Sequence, residues 1–271
     1  MKNKILVALD FTDVSINALR YALNCFPERQ IEVLYVKPDL ELKKMVEKPG
    51  NDHLNKFWTN AIIQFVMKEL KTEKLPENIT ILNSFGPLIK TITNKLEEED
   101  IQCLFMGTRD KYNFFNRWIG TTSYNVVLKA KKPVYLIPKY ATYKSFKSIM
   151  VASDIPLVDK ALIRKLNSWN KTYNAYVKFL HIQPDYQIDI KELNENIIEE
   201  LFENGNPPYG FEITTLKSNH ISEALLGSAY NFNADLLVIF PEKKSFLEDL
   251  FNRSISQKLI LKSEIPLLFL K

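Results

Sequence analysis

The apolar residues of this chain follow two alternating patterns. Short stretches in which nearly every residue is apolar, such as residues 5–9 and 31–36, alternate with longer segments in which apolar residues recur every three or four positions. Unbroken apolar stretches are typical of strands buried on both faces of a parallel sheet, and the three-to-four spacing is typical of amphipathic helices. The first half is therefore predicted to hold five strands separated by four helices, which right-handed connections wind into an open parallel sheet with helices on both faces. The strands are expected near residues 4–9, 31–36, 79–84, 101–106 and 133–137.

The helical segments carry their own start signals and apolar stripes. Pro87 stands where a first-turn proline is favoured, ahead of the third predicted helix. The second helix has a stripe of apolar residues that includes Phe57, Trp58 and Phe65, and we expect this stripe to belong to the core.

The second half of the chain repeats the first. Residues 5–11, ILVALDF, return as residues 149–155, IMVASDI. The other matched blocks are 31–39 with 177–185, 101–106 with 234–239, and 132–137 with 265–270. Four matches in one order indicate a duplication. The chain is therefore predicted to contain two tandem domains of one doubly wound fold, at residues 1–139 and 148–271.

Composition narrows the classes of function. A net charge of +4 without a dense lysine and arginine stripe argues against a nucleic-acid partner. Cys25 and Cys103 are far apart in the sequence and outside any CxxC pair, which favours free thiols in a reducing compartment. No apolar stretch approaches the roughly 20 residues that span a bilayer, and no signal-peptide pattern follows Met1. We therefore expect a cytoplasmic protein with no membrane partner. The three histidines lack neighbours at metal-ligand spacing, so no metal site is predicted.

Candidate chemistry lies where the predicted strands end, because open α/β sheets bind ligands beyond the carboxyl ends of their strands. Asp10 follows the first strand and Val36 ends the second. Asp10 also has a simpler interpretation, as the cap of the helix that follows it.

The loop after the fourth strand is a candidate anion site. It starts with Gly107, carries the positive charge of Arg109, and ends with Gly120, Thr121 and Thr122, which open the next helix. Glycines permit close backbone approach, and a helix that opens with Gly-Thr-Thr offers N–H groups and hydroxyls to an anion. A plain helix cap would use the same residues.

The opening ILVALDFTDVSINALRYAL, the loop FMGTRDKYNFFNRWIGTTSYNVVLKAKKPVYLIP and the duplication together resemble the universal stress protein family. The resemblance covers essentially the whole chain as a tandem, two-domain member, and it implies the adenine nucleotide alpha hydrolase-like fold. It also implies that Asp10 and the backbone of Val36 contact the nucleotide, the latter at adenine. ATP-binding members carry a G-x2-G-x9-G-[ST] loop, which Gly107, Gly120 and Thr121 match.

The middle glycine of that motif is Asp110 in this chain. Its carboxylate would repel phosphates by on the order of 4 kcal/mol at about 4 Å and an effective dielectric of about 20, before screening. The second copy departs further, with Phe240 in place of Gly107 and Arg253 in place of Gly120. We therefore expect that any bound nucleotide lies in the first domain only.

Two functions follow as hypotheses. The favoured one is a cytoplasmic stress-response binding and regulatory protein, a non-catalytic scaffold with at most weak nucleotide binding in the first domain. The alternative is an adenine-nucleotide sensor that uses the loop of that domain. No cofactor is certain, and ATP or AMP are the candidates. No motif of an enzyme is found in the sequence. The resemblance implies that the two domains pair through their fifth strands as a pseudo-dimer, while a homodimer and an unidentified protein partner stay open.

Overall fold

The computed structural model describes residues 3–37, 52–108, 121–152, 160–183, 195–203, 205–240 and 253–271. For residues 52–54, 121, 195–197 and 253–256 it describes the backbone alone. The chain divides into two compact units, Met1–Tyr143 and Lys144–Lys271.

The first unit is a doubly wound α/β unit. Its elements are β1 (Lys4–Leu9), α1 (Asp13–Cys25), β2 (Ile31–Lys37), α2 (Asp52–Leu70), β3 (Ile79–Phe85), α3 (Leu88–Leu96), β4 (Ile101–Thr108), α4 (Thr121–Lys129) and β5 (Val134–Pro138). The strands pair in parallel in the order β3-β2-β1-β4-β5. β1 therefore has β2 on one side and β4 on the other, so the connections on its two sides run in opposite directions along the sheet. Ligands of such folds bind in the crevice at this switch.

The second unit has the same architecture. Its elements are β6 (Ser148–Ala152), α5 (Lys160–Asn170), β7 (Tyr176–Gln183), α6 (Glu195–Leu201), β8 (Phe211–Lys217), α7 (Ile221–Asn231), β9 (Leu236–Ile239), α8 (Arg253–Lys262) and β10 (Leu267–Phe269). These strands are also parallel, in the order β10-β9-β6-β7-β8. The predicted fold class is confirmed.

The strand registers of the two units correspond position by position. Ile5 pairs with Ile31 across β1 and β2, and the aligned Ile149 pairs with Val177 across β6 and β7. The blocks around β4 with β5 and around β9 with β10 correspond in the same way. The sequence repeat is therefore also a repeat of hydrogen-bonding register.

The core consists of the strands and one face of each packed helix. β1, β4 and β5 are almost completely buried, as expected for central parallel strands. The helix α2 differs from the expectation. It buries Ile62 and Val66 completely, but Phe57 is 63% exposed and does not belong to the core. Because α2 packs mainly on the outer strand β3, only a narrow stripe of the helix faces the sheet.

Candidate functional site

A pocket opens in the first unit at the switch between β1 and β4. It encloses about 490 Å³, its open mouth included. Its walls come from the ends of β1, β2 and β4 and from the first turns of α1, α3 and α4. Four residues singled out in the sequence line it together: Asp10, Val36, Gly107 and Thr122.

The remaining candidate residues belong to the loop between β4 and α4. Thr121 is the first residue of α4. Arg109, Asp110 and Gly120 lie outside the described residues, as does the side chain of Thr121.

The turn from β1 into α1 forms the polar side of the pocket. Thr12 is the N-cap of α1 and forms a capping box with Ser15: Thr12 Oγ1 accepts from the Ser15 N–H at 3.3 Å, and Ser15 Oγ accepts from the Thr12 N–H at 3.3 Å. The interpretation of Asp10 as the cap of this helix is therefore wrong. Its carboxylate instead accepts a hydrogen bond from Thr12 Oγ1 at 2.5 Å while the residue stays exposed.

Gly107 brings β4 and α1 into direct contact. A Cβ atom at this position would lie 2.5 Å from Val14 Cγ1 and 2.6 Å from the Val14 carbonyl oxygen. Real Cβ atoms do not approach so closely, and the Val14 backbone cannot move aside without shifting α1. The glycine is therefore required by strand–helix packing at the pocket wall. The sequence gives the close approach of an anion as a reason for this glycine, and the contact with Val14 is a second reason that the sequence does not reveal.

The apolar side of the pocket combines two strands with a helix. Leu34 and Val36 of β2 and Met106 of β4 lie on it, together with Leu88 and Ile92 of α3. The two α3 residues were missed as site residues. A signal was available, because Leu88 and Ile92 are one helical turn apart just after the end of a strand. Their place beside β2 depends, however, on α3 crossing the sheet from β3 towards β4.

The start of α3 is fixed by the turn that precedes it. Gly86 adopts φ 136°, a conformation that favours glycine, and its N–H donates to the Lys37 carbonyl at 3.0 Å. Pro87 is the N-cap of α3, one position before the first-turn position predicted from the sequence.

The charges around the pocket are sparse. Burial raises the pKa of the Tyr35 hydroxyl, and the negative charge of Asp10 adds to this shift, so the phenol stays neutral at physiological pH. Among the described residues that line the pocket, none is lysine, arginine or histidine. In the described part of the chain no group of three His, Cys, Asp or Glu side chains could hold a metal ion. No helix within the described ranges is long and apolar enough to cross a membrane.

Comparison with known protein families decides the relationship. Residues 1–138 match the model of the Universal stress protein family. The chain belongs to this family. A search among curated proteins found no match.

Two solved structures extend the likeness over the whole chain. A universal stress protein from Archaeoglobus fulgidus DSM 4304 has 17% sequence identity and a TM-score of 0.71, covering 100% of this chain and 97% of its own. A protein described as a universal stress protein from Pseudomonas aeruginosa UCBPP-PA14 has 14% identity and a TM-score of 0.61, covering 99% of this chain and 93% of its own. At these identities they show that this member of the universal stress family shares their fold.

The equivalent edge of the second unit is built differently. Phe240 occupies the position of Gly107 and is 3% exposed, so a buried ring lies at the end of β9. Ile182, which aligns with Val36, is as buried as its counterpart. Arg253 begins α8, where Gly120 precedes α4 in the first unit.

Proposed function

We propose that this universal stress family member is a stress-response regulatory protein whose first unit binds an adenine nucleotide in the pocket between β1 and β4. The observation that carries the proposal is that Asp10, Val36, Gly107 and Thr122, chosen from the sequence, line one pocket. This juxtaposition supports the sensor hypothesis over the scaffold hypothesis, which the sequence alone favours.

The two sides of the pocket suit the two ends of a nucleoside. Leu34, Val36 and Ile92 offer an apolar surface on which a purine ring can pack. Asp10 offers carboxylate oxygens that can accept hydrogen bonds from ribose hydroxyls or an exocyclic amine. Thr122 stands in the first turn of α4, where free backbone N–H groups favour phosphate oxygens. Arg109, from the preceding loop, would add positive charge.

The pocket supports binding and regulation rather than catalysis. Among the described residues that line the pocket, Ser15 is the only buried one with a hydroxyl, and this hydroxyl accepts from two backbone N–H groups and donates to the Thr12 carbonyl at 2.9 Å. It is thus committed to holding the turn. None of the described lining residues is a cysteine or histidine that could serve as nucleophile or base.

A nucleotide-free scaffold is the second candidate, and one observation favours it. Asp110 replaces the glycine that the family motif places next to the phosphates. If its carboxylate faces that space, repulsion weakens or prevents binding of ATP. The protein would then act through its surfaces alone.

The test is a calorimetric titration of the full-length protein with ATP, ADP and AMP, after measuring which nucleotide purified protein releases on denaturation. We expect one site per chain. Thr122→Trp should abolish binding by filling the mouth of the pocket, whereas Asn94→Trp should not, because Asn94 is an exposed residue of α3 outside the pocket. If no binding is measured at millimolar nucleotide, the sensor hypothesis fails and the nucleotide-free scaffold is the function that remains.

Location and partners extend the proposal. Cys25 and Cys103 are free and buried, and burial raises the pKa of Cys25 to about 12 and that of Cys103 further, so both remain thiols at physiological pH. This supports action in the reducing cytoplasm. Pairing of the two units through their fifth strands, a homodimer and a protein partner stay predictions, to be checked by light scattering and by affinity purification.

A further inference from the structure

Phe11 has an uncommon backbone conformation beside the pocket. It connects β1 to α1 with φ 60°, in the left-handed region that bulky residues adopt only when their surroundings hold them there. Of the other described non-glycine residues with positive φ, Lys71 and Asn233 lie within two residues of the last residue of a helix, where left-handed residues are common. The third, Asn174, lies in the turn between α5 and β7, and asparagine adopts this conformation more readily than bulky residues do. Phe11 has no such local reason.

Two aromatic rings hold Phe11 on the side of the sheet that carries α2. Its ring meets Tyr35 of β2 edge-on at a centroid distance of 4.9 Å, and Phe65 of α2 at 5.2 Å. Such edge-to-face pairs are favourable beyond the area that they bury. The ring is not among the residues that line the pocket.

The neighbours of Phe11 do line the pocket. Asp10 and Thr12 form part of its wall, and the N–H groups of both donate to Ser15 Oγ, at 3.2 and 3.3 Å. One hydroxyl can accept hydrogen bonds from both N–H groups only because the chain turns sharply at Phe11, the residue between them. The left-handed conformation of Phe11 thus sets the direction of the Asp10 carboxylate.

We propose that Phe11 is a positioning residue: its ring, packed between Tyr35 and Phe65, fixes the turn that aims Asp10 and Thr12 into the pocket. Nucleotide affinity therefore depends on a side chain that does not touch the nucleotide. The inference rests on the proposed function for its ligand, but the turn itself can be measured without one.

The first experiment titrates ATP into variants of the full-length protein. Phe11→Ala removes the ring and keeps the cost of positive φ, and we expect it to weaken binding at least tenfold. Phe11→Gly removes the ring but adopts φ 60° freely, and it should also weaken binding, because the ring is what holds the turn. Phe11→Tyr keeps the ring and should bind within about threefold of the parent.

Phe26→Ala is the matched control. Phe26 is the C-cap of α1, is half-buried like Phe11, and packs on two aromatic rings, Phe105 and Tyr135. It lies at the far end of the helix from the pocket. Its truncation should lower the melting temperature without changing ATP affinity by more than about twofold. An equal loss of affinity in Phe26→Ala and Phe11→Ala would overturn the proposal.

A double-mutant cycle with Asp10→Asn separates positioning from general destabilisation. In the Asp10→Asn background, Phe11→Ala should change affinity by less than about threefold, because the carboxylate that the ring positions is already gone. A merely structural effect would stay tenfold in both backgrounds.

Amide hydrogen exchange of the nucleotide-free protein tests the turn independently. The amides of Asp10, Thr12 and Ser15 should exchange at least tenfold faster in Phe11→Gly than in the parent, while those of β4 keep their rates. Unchanged exchange at these three amides would refute the role of Phe11. If the parent binds no nucleotide, the proposed function fails, and this exchange result still decides the role of Phe11.

Discussion

The two units share a fold and a strand register but differ at the edge where ligands of such folds bind. In the first unit, Gly107 lets β4 touch α1, and α1 begins four residues after the end of β1. In the second, the buried ring of Phe240 takes that position, and α5 begins eight residues after the end of β6. The sheet accommodates either residue. In the first unit the glycine allows β4 to pack closely on α1 beside the pocket, and in the second unit the ring is part of the core.

The two units also differ in their charged residues near the amino ends of the strands. Glu32 of β2 is buried and lies 2.8 Å from Lys4 Nζ and 2.7 Å from Lys95 Nζ. Its counterpart in β7 is Lys178, which pairs with Glu212 on the neighbouring strand at 2.9 Å. The position keeps an ion pair with its charges reversed, but only in the first unit is the carboxylate buried.

Truncating Phe240 should have the largest effect on stability. Phe240→Ala leaves a cavity in the second unit and should lower its free energy of unfolding by about 3–5 kcal/mol. Denaturant unfolding followed by tryptophan fluorescence measures the change. Phe240→Leu, which fills most of the space, should cost less than half as much. A loss below about 1 kcal/mol in Phe240→Ala would mean that the ring is not part of the core.

Glu32→Gln should have the second largest effect on stability. It leaves two lysines without their buried carboxylate, and because both lysines are partly exposed we expect a loss of about 2–3 kcal/mol rather than the larger cost of a fully buried pair. Glu212→Gln, which breaks the more exposed pair, should cost less than about 1 kcal/mol. Equal losses in the two variants would contradict the difference in burial.

The contacts of Glu32 with Lys4 and Lys95 also predict that the stability of the protein depends on pH. Burial raises the pKa of Glu32, but the hydrogen bonds from Lys4 and Lys95 outweigh it and hold the pKa below its ordinary value. A lowered pKa contributes stability above the ordinary glutamate pKa of about 4.3, and that stability is lost as the pH falls through the folded-state value. The gap in unfolding free energy between the parent and Glu32→Gln should therefore shrink below about pH 4.

Gly107→Ala tests the contact that distinguishes the first unit. The added methyl group meets the backbone of Val14, so we expect a loss of about 2 kcal/mol in stability. Binding of ATP at the proposed site should weaken as well, because Thr12, the N-cap of α1, and Ser15, in its first turn, belong to the pocket wall. A variant as stable as the parent would mean that α1 shifts at no cost.

Asp110→Gly restores the family motif and should strengthen ATP binding about tenfold, which corresponds to about 1.4 kcal/mol. Gly120→Arg, which copies the second unit, should abolish binding at the proposed site, because it puts a long side chain at a position where the family motif has a glycine. Titration calorimetry of both variants against the parent measures these changes. Weaker binding after Asp110→Gly would show that the carboxylate is a working part of the site.

Gly227→Ala should have the smallest effect on stability, and it should stabilise the protein rather than destabilise it. Gly227 lies on an exposed position inside α7, and a Cβ atom there meets nothing within 4 Å. Alanine is the better helix former, so the second unit should gain about 0.5–1 kcal/mol in thermal or denaturant unfolding. A loss instead would indicate a backbone requirement at this glycine.

The sequence was sufficient for the strands and for part of the site. The unbroken apolar stretches and the repeat predicted the ends of β1 to β5 to within two residues. Because Asp10 and Val36 lie at the carboxyl ends of parallel strands, the sequence also predicted that they lie at the same edge of the sheet. It could not show that Thr12 caps α1, because Asp and Thr are both good caps and only geometry separates them. Nor could it place Leu88 and Ile92 in the pocket, because that requires the path of α3 across the sheet. The exposure of Phe57 was missed because a periodic stripe does not reveal how much sheet a helix has beneath it.

The distribution of cysteine gives the protein an internal reporter. Both thiols lie in the first unit, buried and protonated, and the second unit contains none. A maleimide or aromatic disulfide reagent can therefore react only when the first unit opens, so labelling rates time that opening while the second unit stays silent. Cys25 ends α1, the helix whose other end borders the pocket. Slower labelling on addition of a ligand would thus register occupancy of the first unit without any engineered probe.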